Sequence, residues 1–422
     1  ESQRRFLLLV MTMRFAIKHI DITPTEPTYL SGQINRIAQH THVLDPLYAT
    51  TLVIEQKDQI FVFLGFDLLM LDASLVDLVR SVISFHTKVP YDHIFIMPSH
   101  THAGPEVLNE GLFGIKLQDV LPGYRESLVD KVKQISFEAL HELQDVRCCF
   151  AKVELKDLFT NRNDPNRAID RYLRLIAFMN DENEIIGSFI NLACHPTILG
   201  TENTAISSDF FGVLRDAIED QYHFPVLISN GAEGDISNRH TRISSDVCEM
   251  IRVREILKKQ LPTRLDWVPV DDRLSIIQKK FSFKTCLQKE RMQWMIEHNN
   301  QRLQSETNQD KIKLLNASNT ILNVYLSRPT EGLVTIEYNI LKFGHLILCF
   351  LPMELFSSHY LDLKSRLKHE LILVGLSNIS IGYLVDKDAY GESYEGMTSP
   401  LPWAEIERFL NQLKVDLAHL DY

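Results

Sequence analysis

At 422 residues, with 45% hydrophobic and 23% charged residues, the chain has the composition of a globular protein with a large core, which excludes a disordered or fibrous one. Lysine and arginine number 44 against 55 aspartates and glutamates, a formal charge of -11 without any long basic run, so a nucleic-acid partner is excluded. No stretch approaches the roughly 20 apolar residues that span a bilayer, so no transmembrane segment is expected.

Arg4-Arg5 and the apolar run Phe6 to Met11 are too short for a signal peptide and lack a small-residue cleavage site. Met13 opens MRFAIKHIDITP, which reads as a natural start, so residues 1–12 are expected to be an extension and the protein cytoplasmic. Phe15, Ile17, Ile20 and Ile22 suggest a first strand. Residues 50–56 and 60–66, separated by Lys57-Asp58, read as a hairpin. Leu75, Val76, Val79, Val82 and Ile83 recur at helical spacing ahead of a strand at Ile94 to Ile96. A helix over Leu128 to Ala139 and strands at Val146 to Leu155 and Tyr172 to Met179 follow. Ile185 to Ala193 reads as a strand buried on both faces.

A helix from Asp209 to Tyr222 and a strand at Val226 to Ser229 lead into the glycine-rich loop Asn230 to Asn238. Asp246 to Leu261 is amphipathic helix, and residues 285–326 read as a peripheral helical pair. Val334, Ile336, Tyr338 and Ile340 alternate as a strand, Leu346 to Leu351 and Ile372 to Leu376 form two more, and a helix containing Ile406, Phe409, Leu410, Leu413 and Leu417 closes the chain. The alternation of strands and helices, with no repeat and no long linker, predicts one large α/β domain over residues 13–422, mixed sheets at its centre and helices around them. Cys148, Cys149, Cys194, Cys248, Cys286 and Cys349 show no C-x-x-C spacing and read as free, buried thiols.

Several of these apolar strands run into ionisable residues. Ile94 to Ile96 leads to Ser99-His100-Thr101-His102-Ala103-Gly104-Pro105, and extended backbone carries side chains two apart to one side, so His100 and His102 are expected to face together. Ile185 to Ala193 ends in Cys194-His195-Pro196-Thr197, and Leu346 to Leu351 in Pro352-Met353-Glu354. Each has a bland alternative. His-x-His occurs in ordinary loops, and His195 alone reads more readily as a core histidine. A lone carboxylate after so apolar a strand needs a partner. Two neutral imidazoles and a carboxylate suit a catalytic zinc, whose bound water loses its proton near pKa ~7. His100, His195 and Glu354 are the residues that pattern offers.

MPSHTHAGP, INLACHPT with ISSDFFG, GAEGDIS, FLPMEL and the IGYLVDKDAYGESYEG region, in that order, resemble the catalytic domain of the neutral, non-lysosomal ceramidases, over roughly Phe15 to Pro400. The resemblance implies one zinc per chain held by His100, His195, Glu354 and Tyr383. It also implies catalytic roles for Ser237 and His102 and a substrate contact at Arg162. Asp235 and Tyr394, from the same motifs, join Arg162 as candidate substrate-binding residues. The sequence departs from the family where Asn238-Arg239 stands in place of the proline after Ser237, and it stops one helix later, without the immunoglobulin-like domain of ceramide-acting members. Both departures bear on whether ceramide is the substrate.

The expected activity is a zinc-dependent hydrolase that cleaves an N-acyl amide bond in a lipid or lipid-like small molecule, a role in lipid and sphingolipid metabolism. Attack by zinc-bound water is preferred to attack by Ser237, because a serine nucleophile needs an adjacent base; Tyr383 and His102 would stabilise or protonate what forms. The alternatives are a zinc hydrolase of another small amide or an ester, and a binding protein that retains the fold without catalysis.

Overall fold

The computed structural model describes residues 13–110, 116, 118–271 and 273–420, and the expectation for residues 1–12 lies outside them. In chain order come β1 (Met13–Asp21), the hairpin β2 (Tyr48–Gln56) and β3 (Gln59–Phe66), α1 (Ala73–Thr87) and β4 (Ile94–Pro98). Next are α2 (Tyr124–His141), β5 (Gln144–Glu154), β6 (Tyr172–Met179), β7 (Ile185–Leu192), α3 (Asp209–Tyr222), β8 (Val226–Asn230) and α4 (Val247–Gln260). The second half runs β9 (Leu274–Cys286), α5 (Lys289–Leu303), α6 (Gln309–Leu326), β10 (Glu331–Phe343), β11 (Leu346–Phe350), α7 (Ser357–Ser365), β12 (Glu370–Val374), α8 (Tyr394–Thr398) and α9 (Trp403–Leu420).

Two mixed sheets carry the fold. The larger is ordered β8-β7-β6-β5-β1-β2-β3-β4, and the smaller β9-β10-β11-β12. Period-two alternation decides what each face buries. Phe61, Phe63, Phe95 and Met97 of the larger sheet pack with Phe343, Leu348, Phe350 and Val374 of the smaller, so the two sheets face each other across an aromatic core. Phe95 and Phe350 meet there with ring centroids 4.6 Å apart. The alternate residues Val62, Leu64, Ile94 and Ile96 pack with Leu75, Val79 and Ile83 of α1 and Leu128 and Val132 of α2. Ile190 and Leu192 do the same with α3 and α4. On the far side, Ile340, Ile347 and Leu373 lie under Ile406, Phe409 and Leu413 of α9. The layers are therefore helices, sheet, sheet, helices: a single α/β domain, as the sequence predicts.

Local signals set the boundaries. Asp72 caps α1 by accepting from the Leu75 N–H, and Lys88 ends the helix at φ 64°. Strand β9 was not among the expected elements. It is an edge strand whose Lys279, Lys280 and Lys284 interrupt the apolar pattern, as edge strands do to discourage pairing with other chains. The helical pair α5 and α6 is not wholly peripheral, as the next section shows. Of the six free cysteines, Cys148, Cys149, Cys194 and Cys349 are buried, whereas Cys248 and Cys286 are exposed, because α4 begins and β9 ends at the surface there. No helix among the described residues is long and apolar enough to cross a membrane.

What places the site is the parallel pairing of β3 with β4, β7 with β8, and β11 with β12. The second strand of each pair runs the same way as the first, so the segments after their carboxyl ends gather at one side of the sheets, where open α/β sheets bind ligands.

Candidate metal centre

His100 leaves β4 in a left-handed turn, φ 71°, so the side chains of His100 and His102 are not brought together by strand alternation as the sequence suggested. The loop itself does it, held by three contacts. The His100 N–H donates to Leu68 O, the Thr101 hydroxyl donates to Ser207 O, and Arg36 donates to His102 O at 2.7 Å. Gly32, at φ +89°, packs against the His102 ring so closely that a Cβ would sit 2.7 Å from its Cγ.

His195 follows β7, its N–H donating to Ile236 O, which ties it to the glycine-rich loop after β8. That loop is tied in turn to the segment after β11. Gly234 donates to Leu355 O at 3.0 Å, and a Cβ at Gly234 would lie 2.8 Å from Glu354 O. The backbones carrying His195, Ser237 and Glu354 thus approach as closely as backbones can.

One ring nitrogen from each of His100, His102 and His195 lies within 4.8 Å of the other two. Glu354 Oε2 lies 3.1 Å from His195 Nε2 and 3.7 Å from His100 Nε2. His195 Nδ1 is 2.8 Å from Glu233 O and His100 Nδ1 is 2.8 Å from Leu69 O. A carbonyl oxygen can only accept, so each Nδ1 carries the proton and each neutral ring turns a bare Nε2 lone pair toward Glu354. Burial holds all three imidazoles low: His100 is pushed down to about 4 although the Glu354 charge opposes it, and His102 and His195, with neighbouring cations adding to burial, lie well below the usual histidine value. All three are neutral at neutral pH, the form that binds a metal.

His195 Nε2 and Glu354 Oε2 are buried with no hydrogen-bond partner, and so are both ring nitrogens of His102. Two acceptors 3.1 Å apart repel unless a proton or a metal cation lies between them, and burial accordingly raises the Glu354 pKa. The donor set fits zinc, which takes imidazole nitrogen and carboxylate oxygen.

Tyr383, beside Glu354 through a short parallel pairing of Glu354–Leu355 with Tyr383–Leu384, hydrogen-bonds both the Glu354 carboxylate and the Arg162 guanidinium. Burial, then the Glu354 charge, pushes its phenol well above the usual tyrosine range, so it is a donor. Arg162 is ion-paired with Glu395 at 2.6 Å and lies with its carbon 5.5 Å from the Tyr383 ring centroid.

No protein-family profile matches the chain. Neutral ceramidase of Oryza sativa subsp. japonica is 27% identical over 168 residues, which are 35% of this chain and 21% of that protein, so the match spans about a fifth of the curated relative. The crystal structure of neutral ceramidase from Pseudomonas aeruginosa superimposes with a TM-score of 0.74 at 18% identity, over 97% of this chain and 74% of that one. The chain has the neutral ceramidase fold. A ceramidase complexed with C2 agrees, with a TM-score of 0.72 at 16% identity over 97% of this chain and 75% of its own.

Within this ceramidase fold a cavity of about 450 Å³ opens onto the histidines. His100, His102, Arg162, Ser237, Glu354, Tyr383 and Tyr394 line it, so seven of the nine residues singled out from the sequence meet at one surface. His195 lies immediately behind, against Glu354. Asp235 does not line the cavity. Its carboxylate accepts from the Ser357 N–H and hydroxyl and from Asn161 Nδ2, so it ties the loop to α7 and is not placed to touch substrate. Burial raises its pKa to about 6 against those bonds. Ser237 Oγ accepts from the Arg239 N–H at 3.3 Å and hydrogen-bonds no histidine or carboxylate among the described residues.

Other parts of the site were not read from the sequence. The orienting carbonyls of Leu69 and Glu233 carry no side-chain signal. Arg36 directly follows the segment Gly32 to Asn35 that lines the cavity, and nothing local distinguishes it from a surface arginine. The wall contributed by α6, with Asp310, Lys313, Leu314 and Ala317, corrects the expectation of a peripheral pair: one face of this helix closes the cavity because its Ile321, Leu322 and Tyr325 anchor it against Met292, Met295 and Met397.

Proposed function

We propose that the chain is a zinc-dependent hydrolase of N-acyl amides, ceramidase-like in mechanism, with His100, His195 and Glu354 as metal ligands and the neutral Tyr383 phenol as a weak, loosely held fourth. One observation carries this reading: His195 Nε2 and Glu354 Oε2, two buried acceptors, face each other at 3.1 Å with nothing between them that can donate. The names of the relatives, neutral ceramidase in rice and in Pseudomonas aeruginosa, point to the same bond type.

Zinc bound there would supply Lewis-acid polarisation of the amide carbonyl and acidify coordinated water to a pKa of about 7. The chain's own residues do the rest. Leu69 O and Glu233 O hold the two imidazoles in the tautomer that presents Nε2. The Tyr383 phenol, kept protonated by burial, donates to the charge that develops on the carbonyl oxygen, and Arg162 keeps that phenol in place from behind. His102, with two unpartnered nitrogens, receives a proton from the attacking water and returns it to the departing amine nitrogen. Ser237 contacts the substrate through its hydroxyl. The cavity wall, with Ile34, Leu69, Leu199, Leu314 and Ala317 among polar residues, gives an acyl chain an apolar path.

The test is metal analysis beside a panel of N-acyl amides. The purified protein is expected to hold about one zinc per chain, to release a fatty acid from at least one N-acyl amide, and to lose both metal and turnover in His195→Ala. Stoichiometric zinc retained in both His100→Ala and His195→Ala would sink the ligand assignment.

A further inference from the structure

Among the described residues, four arginine and lysine side chains line the cavity: Arg162, Arg239, Arg242 and Lys313. Three are engaged within the protein. Arg162 pairs with Glu395 and donates to Gly234 O at 2.8 Å. Arg242 donates to Thr197 O at 2.9 Å and lies 3.9 Å from Asp310. Lys313 binds Glu202 at 2.9 Å and the Thr201 hydroxyl at 2.7 Å.

Arg239 differs. Its backbone N–H donates to Ser237 Oγ, but its guanidinium has no hydrogen bond and no ion pair among the described residues. It is half-buried, and burial followed by the repulsion of Arg162 lowers its pKa against the attraction of Glu395 and Asp310. A half-buried guanidinium with no direct hydrogen bond or ion pair is costly, and a fold has no packing reason to keep one facing a cavity. Five N–H donors in a fixed fork are left open toward whatever occupies the site.

We infer that Arg239 binds an anionic group on the substrate, and that the site takes N-acyl amides whose amine half bears a carboxylate, N-acyl amino acids, in preference to uncharged N-acyl amides. The inference rests on the amide-hydrolase reading for its choice of substrate backbone. Arg239 is two residues from Ser237, a Cα separation of at most about 7 Å, and both line the cavity, so one bound molecule can meet the serine and carry the anion to the arginine. An acyl chain lying along Ile34, Leu314 and Ala317 leaves the amine half to face the arginine. A carboxylate one carbon from the amide nitrogen meets both conditions, and it accepts two parallel bonds from a guanidinium fork. A phosphate ester on the amine half offers related chemistry at a longer reach, and the experiment separates the two.

The probes are ketone analogues in which the amide nitrogen is replaced by methylene, so that binding is read without turnover: one ending in carboxylate, one in the uncharged carboxamide, one in a phosphate ester. Titration calorimetry is run on the zinc-loaded protein and on its Arg239→Ala and Arg239→Lys variants. The expected result is that the carboxylate-to-carboxamide affinity ratio falls about 10- to 100-fold in Arg239→Ala, the range for one charged hydrogen-bonding group, with partial recovery in Arg239→Lys. The carboxylate's affinity should also weaken with salt. An unchanged ratio in Arg239→Ala overturns the inference, and so does an Arg239-dependent loss confined to the phosphate ester. Parallel hydrolysis assays distinguish the two levels: an Arg239-dependent ratio in a protein that cleaves no amide refutes the hydrolase reading and keeps the anion site.

Discussion

Arg36 donates through Nη1 to the backbone carbonyl of His102 at 2.7 Å, across 66 residues of chain, and so fastens the loop after β1 to the loop that carries two of the site histidines. The same guanidinium reaches Ser31 O and Gly200 O, the latter beside the His195 loop. Burial lowers its pKa to about 10, which still leaves it charged. In Arg36→Met three carbonyls lose a charged donor, each loss costing about 1–3 kcal/mol where no water replaces it. The expected outcome is a lowered Tm together with a fall in kcat/KM that exceeds the fall in zinc content, because His102 is displaced while His195 and Glu354 keep the metal. Calorimetry, metal analysis and steady-state kinetics on the same preparation check it; wild-type kcat/KM in a destabilised variant would show that Arg36 serves stability alone.

Tyr383→Phe keeps the ring against Arg162 and His195 and removes the donor to the developing oxyanion. A fall in kcat of about 10² is expected, the scale of losing one oxyanion donor, with most zinc retained. Unchanged kcat in a folded, zinc-loaded variant would remove the tyrosine from the mechanism.

Ser237→Ala should reduce kcat/KM without loss of zinc, since its hydroxyl accepts from Arg239 N–H and has no recorded base to make it a nucleophile. Mass spectrometry of the protein quenched during turnover should show no acyl adduct; an acyl group on Ser237 would reverse the order of the two mechanisms.

Acid stability should depend on Asp72. Burial alone raises its carboxyl pKa, but bonds from Arg125, Ser74 and the N–H groups of Leu75 and Asn109 outweigh that and bring it down to about 2 from 3.8. A carboxylate depressed in the folded state stabilises the fold above its unfolded pKa, and that contribution is lost as pH falls through the folded value. The window is therefore about pH 4 down to about 2. Arg125→Met should be less stable than the parent at pH 6, and the difference should shrink across that window; denaturant melts of both proteins at each pH measure it. A difference that stays constant down to pH 2 would contradict the assignment.

Much of the fold was legible because its strands are strongly apolar and its helices carry clean periodicity. Helix α3 runs from Asp209 to Tyr222 and β6 from Tyr172 to Met179, the bounds expected from pattern alone. Strand β9 was not legible, since half of its residues face solvent and its lysines mimic a loop. At the site, His100, His195 and Glu354 stood out because an ionisable residue ending a buried strand is a local anomaly. Asp235 was singled out only through the GAEGDIS motif, and Ser357 and Asn161 turn it inward.

By itself, then, the amino-acid sequence determined which donors are present and that each follows a buried strand, because hydrophobic alternation and strand termini are properties of neighbouring residues. Tertiary structure alone decided that the donors share a point, and which of their atoms face it. The tautomer of His100 is set by a carbonyl 31 residues away and that of His195 by one 38 residues away, while His100 itself turns through a left-handed backbone that strand alternation does not anticipate. Only the packing of α6 against the cavity, and the pairing of Arg162, Arg242 and Lys313 inside the protein, left Arg239 without a direct hydrogen bond or ion pair for its guanidinium among the described residues. Which charges are neutralised internally depends on distances between segments far apart in the chain, and no local pattern encodes them.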